Sequence, residues 1–155
     1  MNCRKGRRGE KMNIKDYREK MEHIRGLIDR CEEVYGTRIW MCGNWYGHME
    51  DRLELLNKFS KELGAYKKKI PKELIKKIDL KPFKKYEFYK IYGDEDSGWY
   101  SWGPQDEIIT TFAFYYYKNK NFEKCYEKTL KFYEGAAIEE WEKGRVSFLE
   151  RLLLT

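Results

Sequence analysis

Residues 12–36, MNIKDYREKMEHIRGLIDRCEEVYG, decide the fold class of this 155-residue chain. Apolar side chains recur in this stretch at alternating spacings of three and four residues, which is the period of one face of an α-helix. The glycine at position 36 is typical of a helix end. The sequence therefore predicts a long amphipathic helix whose apolar stripe consists of Ile14, Tyr17, Met21, Ile24, Ile28, Cys31 and Tyr35.

The next two helices are predicted from caps and stripes of the same kind. Asn44 is a good N-cap and Gly64 a good stop, so we expect a helix from about Asn44 to Leu63. Pro71 fits the first position of a shorter helix that reaches Asp79. The stripe of the longer helix consists of Trp45, Met49, Leu53, Leu56, Phe59 and Leu63.

The C-terminal third predicts three more helices. Pro104, followed by Asp106 and Glu107, favours a helix start there because carboxylates stabilise the first turn of a helix. A further helix starts at Phe122 and extends to about Trp141. The last helix follows Gly144 and carries Val146, Leu149, Leu152 and Leu153.

The segment from Tyr115 to Cys125, YYYKNKNFEKC, resembles the middle of a tetratricopeptide helix pair. In that family a tyrosine closes the first helix, a short polar turn follows, and an aromatic residue opens the second helix. Thr129 and Phe132 depart from the family pattern, and no second copy follows at the period of 34 residues. The resemblance therefore implies a helix hairpin and not membership of the family.

Together these signals predict a mainly α fold, a single-domain helical bundle of five to six helices over residues 12–155. Residues 1–11 are basic and have little to bury, so we expect a disordered tail. The stretch from Phe83 to Trp102 is ambiguous, because its aromatic residues alternate with others and Gly93 to Gly98 favours a turn. A short β-hairpin around residues 83–102 is therefore the alternative to helix there.

Composition excludes several classes of protein. A 41% hydrophobic content argues against a disordered chain, and no run approaches the roughly 18 apolar residues of a membrane span. The four cysteines show no paired spacing, which favours reduced thiols and a cytoplasmic location. We expect no cofactor and no membrane association.

The positive charge is concentrated in one central segment. Residues 66–90 hold ten lysines against three acidic residues, a net charge of +7, whereas the whole chain carries +6. Lysines can neutralise phosphates, and the interspersed Tyr66, Phe83, Tyr86 and Tyr89 could stack on bases. One hypothesis is therefore DNA or RNA binding through Lys67, Lys68, Lys69, Lys72, Lys76, Lys77, Lys81, Lys84 and Lys85.

The loop from Gly93 to Trp102 suggests a different role. Tryptophan and tyrosine are common at the centres of protein interfaces, so Trp99, Tyr100 and Trp102 are candidate partner-binding residues. The leading interpretation is a non-catalytic protein-interaction module whose partner is another protein, with a build similar to that of antitoxins and immunity proteins. Nucleic-acid binding is the alternative.

Catalytic motifs are missing from the sequence. It has no nucleophile elbow, dinucleotide fingerprint or phosphate loop, and only two histidines. No catalytic residue and no metal ligand is therefore predicted. The third hypothesis, a metal-dependent hydrolase, would need Asp94, Asp96 and Asp106 to converge.

Overall fold

Helices make up the regular structure of the described residues. The computed structural model describes residues 12–35, 43–92, 104–135 and 145–155, and these contain no strand. The mainly α prediction is therefore confirmed for this part of the chain. The α-helices are α1 (Ile14–Tyr35), α2 (Gly43–Lys68), α3 (Lys72–Lys77), α4 (Glu87–Tyr92), α5 (Pro104–Tyr116), α6 (Phe122–Glu134) and α7 (Arg145–Leu153), and a 3-10 helix covers Lys81–Lys85.

Contacts divide the chain into two compact units. The first contains residues 1–59 with Leu154, and the second contains residues 60–153 with Thr155. The single domain expected for residues 12–155 stays a prediction.

In the first unit, α1 follows its predicted stripe closely. Five of the seven stripe residues are buried, and the ring of Tyr17 meets that of Phe59 on α2 edge to face at 5.7 Å. Tyr17 is near the start of α1 and Phe59 is in the second half of α2, so these two parts of the helices are in contact. Cys31 is only half-buried, because the stripe reaches the boundary of the buried face near the C-terminal end of α1.

The second predicted helix differs from the structure at its end. Helix α2 continues through Gly64 to Lys68, four residues beyond the expected stop. Leu63 is 1% exposed, and the ring of Tyr66 stacks on Tyr117 at 4.6 Å. These contacts on both sides of Gly64 stabilise the continued helix. Their contribution outweighs the roughly 1 kcal/mol that a glycine costs inside a helix. Leu53 of the predicted stripe is 42% exposed, and Leu55 is buried instead.

Gly64→Ala is expected to stabilise the protein by about 0.5 to 1 kcal/mol, because alanine lowers the conformational entropy of the unfolded chain. A Cβ atom at this position would meet no heavy atom within 4 Å. Urea unfolding measures the change. Gly26→Ala is a matched control within α1, where the added Cβ would meet Arg30 at 3.6 Å. A loss of stability in Gly64→Ala would show that the glycine is required.

The first strand of the alternative hairpin, over residues 83–92, is not formed. Residues 81–85 form the 3-10 helix and residues 87–92 form α4, while residues 93–102 lie outside the described part of the chain. Phe88 and Tyr89 are adjacent and both buried, at 0% and 6% exposure, which the two-residue alternation of a half-exposed strand does not allow. Helix α4 therefore brings the number of described α-helices to seven, so the expected five to six are not confirmed.

Helices α5 and α6 form the hairpin that the sequence predicts. Helix α5 begins at Pro104, and the Asn121 side chain caps α6 by accepting a hydrogen bond from the Lys124 backbone N–H at 2.9 Å. A hydrogen bond between the Thr111 and Tyr133 hydroxyls, 2.8 Å apart in the buried interior, links the two helices. Helix α6 ends at Glu134, and Trp141 of the predicted helix lies outside the described residues.

Helix α7 packs against α6. The rings of Phe132 and Phe148 meet edge to face at 6.1 Å, and the Arg151 guanidinium lies over Phe132 at 4.3 Å. The predicted Leu149, Leu152 and Leu153 are buried. Neither of the cysteines within the described ranges, Cys31 and Cys125, forms a disulfide, and the Cys125 thiol donates to the Asn119 carbonyl at 2.9 Å.

Candidate nucleic-acid interface

The lysine-rich segment, residues 66–90, is built from short elements with a buried apolar residue at intervals. Ile70, Ile78, Phe83 and Phe88 are at most 7% exposed. Two of them anchor the segment to α6, because the rings of Phe83 and Phe88 both contact that of Tyr133. The lysines between these buried residues lie at the surface.

Eight of the nine candidate lysines are exposed. The ninth, Lys67, is half-buried and forms an ion pair with Asp106 at 2.6 Å, and its ammonium also donates to the Thr110 hydroxyl at 3.1 Å. Lys67 therefore links α2 to α5 and is not an open contact for a ligand. Asp106 is the one carboxylate of the hydrolase hypothesis within the described residues, and it is engaged in this ion pair.

Four of the exposed lysines line one concavity of about 470 Å³. Lys76 and Lys77 belong to the end of α3, and Lys81 and Lys84 belong to the 3-10 helix. We call this feature the lysine concavity. Its remaining lining residues are Ile78, Asp79 and Leu80.

Hydrogen bonds fix the turn that forms the wall of the lysine concavity. The backbone N–H of Lys81 donates to Asp79 Oδ1 at 3.1 Å, and the Tyr126 hydroxyl donates to the Asp79 carbonyl at 2.7 Å. Burial, with a smaller contribution from the charge of Asp79, raises the pKa of Tyr126, so its hydroxyl stays protonated. Helix α6 therefore supports a turn that lies 47 residues earlier in the chain.

Three of the lysines that line the lysine concavity have no acidic partner among the described residues. Within the described ranges, no acidic side chain lies within 4.0 Å of the ammonium groups of Lys76, Lys77 or Lys81. The Lys77 ammonium lies over the Phe122 ring, 4.8 Å from its centroid. Such a contact with a ring face holds the charge in place and does not neutralise it.

The aromatic side chains of the segment are buried or half-buried. Phe83 and Tyr89 are buried, while Tyr66 and Tyr86 are half-buried. The Tyr66 ring stacks on Tyr117 and its hydroxyl donates to Glu62, and Tyr86 packs against the edge of Phe83 at 6.5 Å. None of the four rings is exposed, so the expected base-stacking surface is not present at these positions.

The other predicted site residues lie elsewhere. Trp99, Tyr100, Trp102, Asp94 and Asp96 are all outside the described residues. Within the ranges that the structure describes, no group of three or more His, Cys, Asp or Glu residues is placed to hold a metal ion.

Sequence reasoning missed the supporting residues Asp79 and Tyr126. Asp79 had a recognisable signal, because aspartate often accepts a hydrogen bond from the N–H two residues later in a turn. Tyr126 had none, since its partner is distant in sequence. The grouping of four lysines around one concavity also depends on the fold.

No described helix is long and apolar enough to cross a membrane. Comparisons of the chain with protein-family models, with characterised protein sequences and with solved structures find no significant match. What the chain binds must therefore be inferred from its own residues, and these residues offer a strongly basic surface.

Proposed function

We propose that the protein is a non-catalytic interaction module, and that its lysine-rich segment binds the phosphate backbone of a nucleic acid. The observation that supports this most is the exposure of eight lysines within 18 residues, Lys68 to Lys85. Lysines at the surface release counterions from nucleic acid when they contact phosphates, and this supplies most of non-specific affinity. The proposal includes a cytoplasmic location and action without a cofactor.

A duplex is a better fit than a single strand. Proteins that bind single strands without sequence preference stack bases on exposed aromatic rings, and the rings of this segment are at least half-buried. Lysine contacts to phosphates position a protein on the duplex and read no sequence. We therefore propose binding to duplex nucleic acid that depends little on base sequence.

Replacing Lys72 and Lys76 with alanine tests the proposal. We expect the affinity for a short duplex at 50 mM salt to fall about tenfold, because two phosphate contacts are lost. Fluorescence anisotropy with a labelled duplex measures it. The matched control is Lys118→Ala with Lys131→Ala, which removes the same charge from exposed positions elsewhere. Equal weakening in both double variants would mean that net charge, and not this segment, determines binding.

The second candidate is the protein partner expected from Trp99, Tyr100 and Trp102. The described residues that such a partner could cover are three exposed apolar side chains of the first unit: Val34, Tyr46 and Leu53 are 73%, 50% and 42% exposed. Exposed apolar area is the usual mark of a protein interface when it is contiguous. Capture of a partner that survives nuclease treatment, and is lost in Trp99→Ala with Trp102→Ala, would favour this candidate over nucleic acid.

A further inference from the structure

The lysine concavity has the size of a ligand site. Its volume of about 470 Å³ falls within the range of small-molecule pockets. It is an open depression in the surface of the second unit, so it admits an extended ligand as well as a compact one. Its lining residues include four lysines together with Ile78 and Leu80.

The backbone around the lysine concavity is fixed before any ligand arrives. Ile78 is 7% exposed and Phe83 is fully buried, so the turn between them is anchored at both ends. The Tyr126 hydroxyl holds the middle of the turn through the Asp79 carbonyl at 2.7 Å. A site whose backbone is already ordered loses less entropy on binding, and only the lysine side chains must adapt.

Charge determines which ligands the site can take. The lining holds four lysines and one carboxylate, that of Asp79, which already accepts the backbone N–H of Lys81. Lys76, Lys77 and Lys81 have no acidic side chain within 4.0 Å in the described part of the chain. Ammonium groups that share one concavity repel each other, and an anion with several charges removes that repulsion. Because each lysine acts as a point charge, the site selects by charge density more than by shape.

We propose that the lysine concavity binds an oligophosphate. A terminal phosphate carries more charge than a carboxylate, and the phosphates of an oligophosphate follow one another directly, so such a chain offers the lining lysines a higher charge density than an acidic peptide does. Two sources share this chemistry: consecutive phosphates of a nucleic-acid backbone, and a free oligophosphate such as the triphosphate group of a nucleotide. Only the first source depends on the function proposed above.

Titration calorimetry of the full chain with tripolyphosphate at low salt tests the proposal. We expect one saturable site, and an affinity at least about tenfold lower in Lys76→Ala with Lys81→Ala, since charged hydrogen bonds are lost. Lys68→Ala with Lys72→Ala removes the same charge outside the concavity and should stay within about twofold of the parent chain. Circular dichroism verifies that both double variants are folded.

The source is identified by competition. If a duplex displaces tripolyphosphate, the ligand of the concavity is a row of backbone phosphates. If a duplex binds without displacing tripolyphosphate, the ligand is a free oligophosphate. Absence of tripolyphosphate binding, equal weakening in the two double variants, or equally good displacement by an acidic peptide of the same net charge would each overturn the site. Absence of duplex binding alongside an intact tripolyphosphate site would instead overturn only the proposed function.

Discussion

Phe83→Ala is expected to lower the free energy of unfolding by about 3 to 5 kcal/mol, the usual cost of removing a buried aromatic side chain. Phe83 is 0% exposed. Its ring meets Tyr133 edge to face at 5.7 Å and Tyr126 at 5.9 Å, so it joins the 3-10 helix to α6. Alanine would leave a cavity between these rings and release the turn that forms the lysine concavity.

Urea unfolding followed by circular dichroism measures the loss. Phe83→Leu is the matched control: it keeps most of the buried volume and should lose much less stability than Phe83→Ala. Lys85→Ala, an exposed position two residues away, should leave the midpoint unchanged. A loss below about 1 kcal/mol in Phe83→Ala would mean that Phe83 is not an anchor of this segment.

The elements that could be predicted best from the sequence are those whose conformation depends on their own apolar stripe or capping residues. Helix α1 could be predicted because its stripe repeats over about six turns, and the five stripe residues between positions 14 and 28 are buried as expected. The start of α5 was readable because Pro104 and its acidic first turn act locally.

Elements whose conformation depends on distant contacts were predicted poorly. The sequence of residues 87–92 favours a strand as much as a helix. The segment is helical in the structure, and there the ring of Phe88 stacks on Tyr133 at 4.5 Å. Gly64 has the local signature of a helix end. The helix continues because Tyr66 stacks on Tyr117, and a contact between residues 51 positions apart could not be predicted from the sequence. Tertiary contacts override local propensity at such positions.

In the candidate site, too, the features that depend on local sequence could be predicted and those that depend on distant contacts could not. The sequence predicted which lysines carry the charge, and eight of the nine are exposed. It could not predict that Lys67 would be engaged by Asp106, 39 residues later, or that the aromatic rings would face the interior. It also could not predict that Lys76, Lys77, Lys81 and Lys84 would share one concavity, since this depends on how the turn at Asp79 is held.

A steep loss of duplex affinity with salt is the second large expected effect. Each lysine that neutralises a phosphate releases counterions, and log affinity falls with log salt at a slope of about −0.9 per contact. If between about three and eight lysines of the segment engage, the slope lies between about −3 and −7. Affinity should then fall by about two to four orders of magnitude between 50 and 200 mM salt.

The salt dependence of duplex binding by the unmodified chain is therefore the most direct test of the central claim, that the lysine-rich segment is a phosphate-binding surface. Anisotropy titrations at four salt concentrations give the slope, and Lys72→Ala with Lys76→Ala should reduce its magnitude by about two. We predict binding at 50 mM salt with a slope of about −3 or steeper. Absence of binding at 50 mM salt, or a slope shallower than about −1, would contradict the account.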